Sequence, residues 1–281
     1  MLAILGGTGA ALAWTVTTVA AARASRLVDS RSLLASVMTV GLVVAAPAAL
    51  VSGVPRGLDG GSATWLAVAG IGNVAGLFLV YPAYRIGDLG FIAPLISTEG
   101  AVAAVIAILA GEEIGGGEVA CLFAIAGGVA LATASSVTGS GRGRNARAAA
   151  LAGASAVAFG TALYATGRAG SSLGIPWAVL PPRIVGVVVI AIPLALRRRW
   201  RLPRAAVPFV VAGGVCEVIG FSAYTFGARH GLAVSAVLGS QFAALSAVVG
   251  YLVFRERLGR IQLAGLAIIV CGVSALAALQ G

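Results

Sequence analysis

Two carboxylates, Glu99 and Glu217, stand in the middle of long apolar stretches. A charge at the centre of a bilayer costs roughly 2.5–3.5 kcal/mol or more, so such acids face a cavity, pair with a cation or hold a proton. The chemistry open to them is proton exchange and attraction of a cationic group, with a proton and a cationic substrate competing for the same charge. Helical spacing adds neighbours. Tyr224 lies almost two turns after Glu217, Tyr84 shares a face with Asn73, and Trp14 shares one with Thr18. Glu99, Glu217, Asn73, Gln241, Tyr224, Tyr84 and Trp14 are therefore the candidate residues for substrate and proton binding: aromatic walls with a few polar anchors. Each has a plainer alternative. Asn73 and Gln241 could be interhelical hydrogen-bond glue, the tyrosines could be packing, and Arg183 could neutralise one of the acids by a salt bridge.

Other chemistry finds little support. His230 is the only histidine, and Cys121, Cys216 and Cys271 sit in apolar runs without metal-ligand spacing, as small buried hydrophobes would. No metal or cofactor is expected. Without a lysine there is no phosphate-binding loop of the Gly-Lys type, so any transport would be driven by gradients.

The elements that must hold these residues are membrane helices. Of 281 residues, 59% are hydrophobic and 10% charged, with a mean hydropathy of +1.03. Too few polar residues remain to cover a soluble fold. That excludes a cytosolic globular enzyme, a disordered chain and a disulfide-stapled secreted domain. Apolar runs of about 20 residues, enough to cross about 30 Å, fall near 3–22, 32–52, 63–84, 89–111, 119–138, 148–167, 177–196, 205–228, 232–254 and 261–279. Breaks occur at Gly57–Gly61, Gly139–Arg144 and Arg197–Arg201. The first run has no basic residue before Arg23, which argues against a removable leader. The net charge of +10 comes from arginines clustered between the runs, so lipid and a small molecule, rather than nucleic acid, are the expected partners.

The second half repeats the first. At a shift of 144, Arg85 meets Arg229, Gly87 meets Gly231, Glu112 meets Glu256 and Gly115 meets Gly259; at 145, Trp14 meets Phe159 and Arg23 meets Arg168. Five spans per copy is an odd number, so the second copy enters the membrane from the opposite side. The expected fold class is an all-α polytopic membrane protein of ten transmembrane helices in two inverted five-helix repeats, residues 1–143 and 144–281. Inverted repeats are the architecture of many secondary transporters.

This layout resembles the drug/metabolite transporter superfamily, in its EamA branch, over essentially the whole chain. The residues that carry the resemblance are an aromatic in the first span of each half (Trp14, Phe159) and a glutamate closing the fourth span of each half. The glutamates stand in Leu109-Ala110-Gly111-Glu112 and Phe254-Arg255-Glu256-Arg257-Leu258, and a glycine-rich fifth span follows each (Gly127-Gly128, Gly272). The second copy departs from the usual form, with Arg255 in place of glycine. The resemblance implies a transporter, often an exporter, of metabolites, amino acids or drugs. It also implies a central cavity walled by the third, fourth, eighth and ninth spans, which Glu99 and Glu217 would approach from opposite halves. Glu112 and Glu256 read as structural anchors of connections. Two other functions stay open: a non-transporting membrane scaffold or accessory protein, and a membrane-embedded enzyme. Oligomeric state, monomer or homodimer, is left open by the sequence.

Alternating the connections between two faces puts fifteen arginines on one side and three (Arg56, Arg168, Arg229) on the side of both termini. Arginine-rich loops stay cytoplasmic, so both termini should lie outside a bacterial inner membrane. Most ten-span members of the resembled family are expected to hold both termini inside, and here the chain departs from that pattern. Tags placed at the two ends are expected to react with impermeant reagents on intact cells. Protection of both reverses the orientation.

Overall fold

In the computed structural model, residues 1–87, 89–112, 115–134, 142–242 and 259–279 are described, together with Leu245, Ser246 and Val249. Among these residues, helix is the only regular secondary structure. The order is α1 (Leu2–Ala24), α2 (Ser30–Ser52), α3 (Gly60–Ile86), α4 (Leu89–Ile96), α5 (Thr98–Leu109), α6 (Gly116–Ala134), α7 (Arg142–Leu173), α8 (Ile175–Gly186), α9 (Ile192–Leu196), α10 (Val207–Ala228), α11 (Leu232–Gly239) and α12 (Arg260–Leu279). Among the described residues, six helical stretches are long and apolar enough to cross a membrane: Leu2–Ala24, Ser30–Ser52, Gly60–Ile86, Ala146–Leu173, Ile175–Leu196 and Arg204–Ala228.

Local chemistry fixes the helix ends. The Asp29 carboxylate accepts from the Arg31 and Ser32 amides at 3.1 and 3.0 Å and starts α2. Asp59 and Ser62 form a reciprocal capping box that starts α3. Hydrogen bonds from the Ser62 backbone first, then its side chain, hold the exposed Asp59 carboxyl below the usual carboxylate range. Gly53, at φ +69°, ends α2 in a conformation an L side chain rarely adopts. The indole of Trp177 donates to the Gly53 carbonyl at 2.7 Å, and that of Trp200 to Ser36 Oγ at 2.8 Å, tying the start of α8 to the end of α2 and the loop before α10 to α2 itself.

Three expected spans are not continuous helices. The fourth run divides at Ser97 into α4 and α5; Pro94 lacks an amide proton and weakens the ladder just before the break. The seventh run contains a π turn, Val187–Ala191, ahead of Pro193. The ninth run turns at Ser240–Gln241, and parts of it beyond Phe242 lie outside the described residues. α7, which covers the sixth apolar run, begins at Arg142, earlier than the run near 148. Cys271 is exposed on α12 rather than buried, while Cys121 and Cys216 are half-buried.

Packing joins distant parts of the chain: α1 lies on α10 and α11, α3 on α7, α2 on α8, α5 on α7 and α11, and α6 on α12. Glycines let several of these pairs approach at backbone distance, α1–α10 and α3–α7 among them. A Cβ on Gly6 of α1 would stand 2.5 Å from the Gly227 Cα of α10. One on Gly72 of α3 would stand 2.9 Å from the Ala158 carbonyl of α7. The spacings Gly72-x-x-x-Gly76 and Gly227-x-x-x-Gly231 thus include contact positions. Gly6→Ala presses backbone on backbone and is expected to destabilise the fold by about 1–3 kcal/mol. Gly9→Ala would meet only the Ala223 methyl at 3.4 Å and should be near neutral. Thermal unfolding of the two purified variants in detergent checks the contrast, and equal stability would refute this account of α1–α10 packing.

Candidate functional site

A cavity opens between α1, α3, α5, α7 and α10. Its walls are Trp14, Thr17, Thr18 and Ala21 from α1, Asn73, Leu77, Val80, Tyr81 and Tyr84 from α3, and Ile96 and Glu99 at the α4–α5 break. Phe159 and Leu163 of α7, Glu217 and Phe221 of α10, and Phe242 complete it. Residues 73, 77, 80, 81 and 84 make one helical stripe. Water-accessible space is about 50 Å³, room for a few waters at about 10–15 Å³ each. A site for a drug-sized ligand is about 300–1,000 Å³, so in this conformation the walls are closed in.

Asn73 and Glu217 meet at the centre. Asn73 Nδ2 donates to Glu217 Oε1 at 3.5 Å, a long contact between buried groups, and Asn73 Oδ1 has no partner. Glu99 lies in the first turn of α5, where the unpaired amides of a helix start favour negative charge. Gly160 of α7 packs against the Glu99 carbonyl, and Gly100 packs against Ser240 and the Ala236 carbonyl, so α11 ends against the break before α5. Glu99 and Glu217 act on each other electrostatically.

Aromatic packing shapes the rest. The Trp14 ring stands edge-on to Phe221 at 5.2 Å and to Phe242 at 6.4 Å, and tilted against Tyr224 at 6.0 Å. Thr17 Oγ1 donates to the Ala13 and Gly213 carbonyls, both at 3.3 Å, linking α1 to α10. Thr18 engages the Tyr84 hydroxyl.

The structure gathers Glu99, Glu217, Asn73, Tyr84 and Trp14 around one cavity. Tyr224 and Gln241 stand apart from its lining. Tyr224 is fully buried behind Trp14 and donates to the Leu163 carbonyl at 2.8 Å. Gln241 Nε2 donates to the Val237 carbonyl at 3.1 Å, along its own chain. Arg183 is buried but no hydrogen bond joins it to either acid; its three nitrogens are without partners, and it stacks over Phe221. Tyr81, Phe221 and Phe242 escaped the sequence reading. Tyr81 could have been found by extending the Asn73–Tyr84 stripe; Phe242 could not, because it follows a break. Glu112 acts as the expected anchor, accepting from the Ala233 amide of α11 at 3.3 Å. Glu256 lies outside the described residues.

Residues 1–134 match the EamA-like transporter family. That family lies within the drug/metabolite transporter superfamily. The match and the apolar helices suggest an integral membrane protein of a transporter type. Among solved structures, one described as the crystal structure of a protein is similar, with TM-score 0.76 and 21% identity, covering 99% of this chain and 96% of the other. At that identity the likeness establishes the fold. No curated protein matches the chain.

Removing the Tyr224 hydroxyl removes a buried hydrogen bond between α10 and the Leu163 carbonyl of α7, and Tyr224→Phe is expected to cost about 0.5–1.5 kcal/mol. Thermal unfolding measures this. A change confined to ligand affinity, with stability intact, would instead place Tyr224 in the site.

Proposed function

We propose that this EamA-type protein is a secondary active transporter, exporting a small metabolite, amino acid or cationic drug by alternating access and coupled to protons through Glu99 and Glu217. In this reading ten spans form two inverted repeats, residues 1–143 and 144–281, in a bacterial inner membrane with both termini outside. One observation carries it: positions related by a constant shift line the same cavity. Asn73 and Glu217, 144 apart, touch each other. Leu77 with Phe221, at the same shift, and Trp14 with Phe159 and Thr18 with Leu163, at 145, also line it. Residues that are repeat mates and also neighbours sit close to a two-fold relation between halves.

Packing supports the same reading. α1 lies on α10, and α3 on α7, each pair taking one helix from each half. The breaks at Ser97 and Gln241 also stand 144 apart. Discontinuous helices meeting near the middle of the membrane are a recurring device for binding and releasing substrate between rocking halves. The mates of the acids differ (Ala243 for Glu99, Asn73 for Glu217), so the site is asymmetric, as a specific substrate requires. A scaffold has no use for the buried, incompletely partnered Asn73, Tyr81 and Arg183. An enzyme would need a nucleophile or metal cluster, and among the described residues no metal-binding group of His, Cys, Asp and Glu occurs.

Protein reconstituted in liposomes is expected to move a substrate from a panel of amino acids and cationic drugs, several-fold faster under an opposing pH gradient. Glu99→Gln or Glu217→Gln should retain exchange and lose the dependence on the gradient. Coupling unchanged in both variants overturns the proton role, and absence of flux across the panel overturns transport.

A further inference from the structure

The largest unmet electrostatic demand among the described residues is at Arg183. α8 carries this side chain inward until it has no exposed surface. Its stem runs along Gly41 of α2, where a Cβ would stand 3.1 Å from the arginine Cγ. The guanidinium carbon lies 5.0 Å from the centre of the Phe221 ring, on the wall of the cavity. Nε, Nη1 and Nη2 are all buried and lack hydrogen-bond partners. Ring stacking is worth about 0.5–2 kcal/mol, against an effective cost of several kcal/mol for desolvating an ion. A guanidinium does not relieve the imbalance by losing its proton. An anion must answer it.

Glu217 is within electrostatic reach of Arg183, but its Oε1 accepts from Asn73 and no hydrogen bond joins the two charges. A second unmet group lies in the same field. The Tyr81 hydroxyl is buried, lines the cavity, lies within electrostatic reach of Glu217 and, more weakly, of Arg183, and has no hydrogen-bond partner. A phenol supplies one donor, and a carboxylate accepts from it while taking the arginine as counter-charge.

We propose that Tyr81 and Arg183 form an anion pole of the central cavity that receives the carboxylate of a small organic acid or zwitterion. The Tyr81 hydroxyl donates to the carboxylate, and Arg183 supplies the positive charge behind it. Of the substrate classes above, this pole favours those bearing a carboxylate and disfavours purely cationic drugs. Glu217, as a rival anion, weakens the pole when ionised. The proposal rests on reading the cavity as a substrate site, but it is tested by binding alone.

Purified full-length protein in detergent is titrated at pH 7 with two matched sets: leucine, 4-methylpentanoate, leucinamide and isopentylamine, and the corresponding compounds built on phenylalanine. Calorimetry and thermal unfolding read affinity. In at least one set the carboxylates are expected to bind at least tenfold more tightly than the amide and the amine. Arg183→Gln should abolish that preference, Tyr81→Phe should reduce it, and Glu217→Gln should strengthen carboxylate binding. Equal affinity for acid and amide, no carboxylate binding in either set, or an unchanged preference in Arg183→Gln overturns the proposal. If Arg183→Gln does not fold, the wild-type comparison and Tyr81→Phe decide it, an unaltered preference in Tyr81→Phe counting against it. Carboxylate binding without flux in liposomes would refute transport and leave the anion pole standing. Flux without a carboxylate preference would do the reverse.

Discussion

The architecture depends on helices that approach at backbone distance, first α1 against α10 through Gly6 and Gly227, and second α3 against α7 through Gly72. In lipid there is no hydrophobic force to push helices together, so close contact between small residues and interhelical hydrogen bonds must do it. The first crossing puts Trp14 of α1 beside Phe221 of α10, and Asn73 of α3 meets Glu217 of α10 in the space between the two crossings. The Ser155 hydroxyl bonded to the Gly76 carbonyl at 2.9 Å reinforces the second crossing.

The cavity is polar where the surroundings allow least polarity. Asn73, Tyr81 and Arg183 all carry buried atoms without partners. Unsatisfied groups are kept out of most interiors because each costs about 1–3 kcal/mol, and more when charged. Their concentration beside one small space ties the stability of the bundle to what enters it. A bound group that meets these needs stabilises the closed arrangement, and its departure removes that contribution. In the proposed alternating-access reading, this gives the two halves a reason to respond to occupancy.

The breaks in the helices serve the same end. At Ser97 and Ser240–Gln241 the chain stops a helix inside the bundle, freeing backbone groups that an unbroken span would have used up. Glu99 stands in the first turn after one break, and α11 ends against that break through the contact of Gly100 with Ser240. Irregular backbone at membrane depth is tolerated where it is enclosed by protein. Here α7, through Gly160, and α11 enclose it.

Much of this was legible in the residues alone. Apolar run lengths located six helices long enough to cross a membrane, because a bilayer sets a minimum span, and the scarcity of charge made Glu99 and Glu217 conspicuous. Periodicity put Asn73 and Tyr84 on one face, since a helix repeats every 3.6 residues whatever surrounds it. What the sequence could not supply was the angle and depth at which one helix crosses another. That geometry turned Tyr224 behind Trp14 and Gln241 along its own chain, although both share the residue types of a binding site. It also brought in Tyr81, Phe221 and Phe242, and left Arg183 unpaired although two acids were nearby in composition. One-dimensional spacing fixes which residues share a face. Only packing between helices, a three-dimensional sum of many small contacts, decides which faces meet.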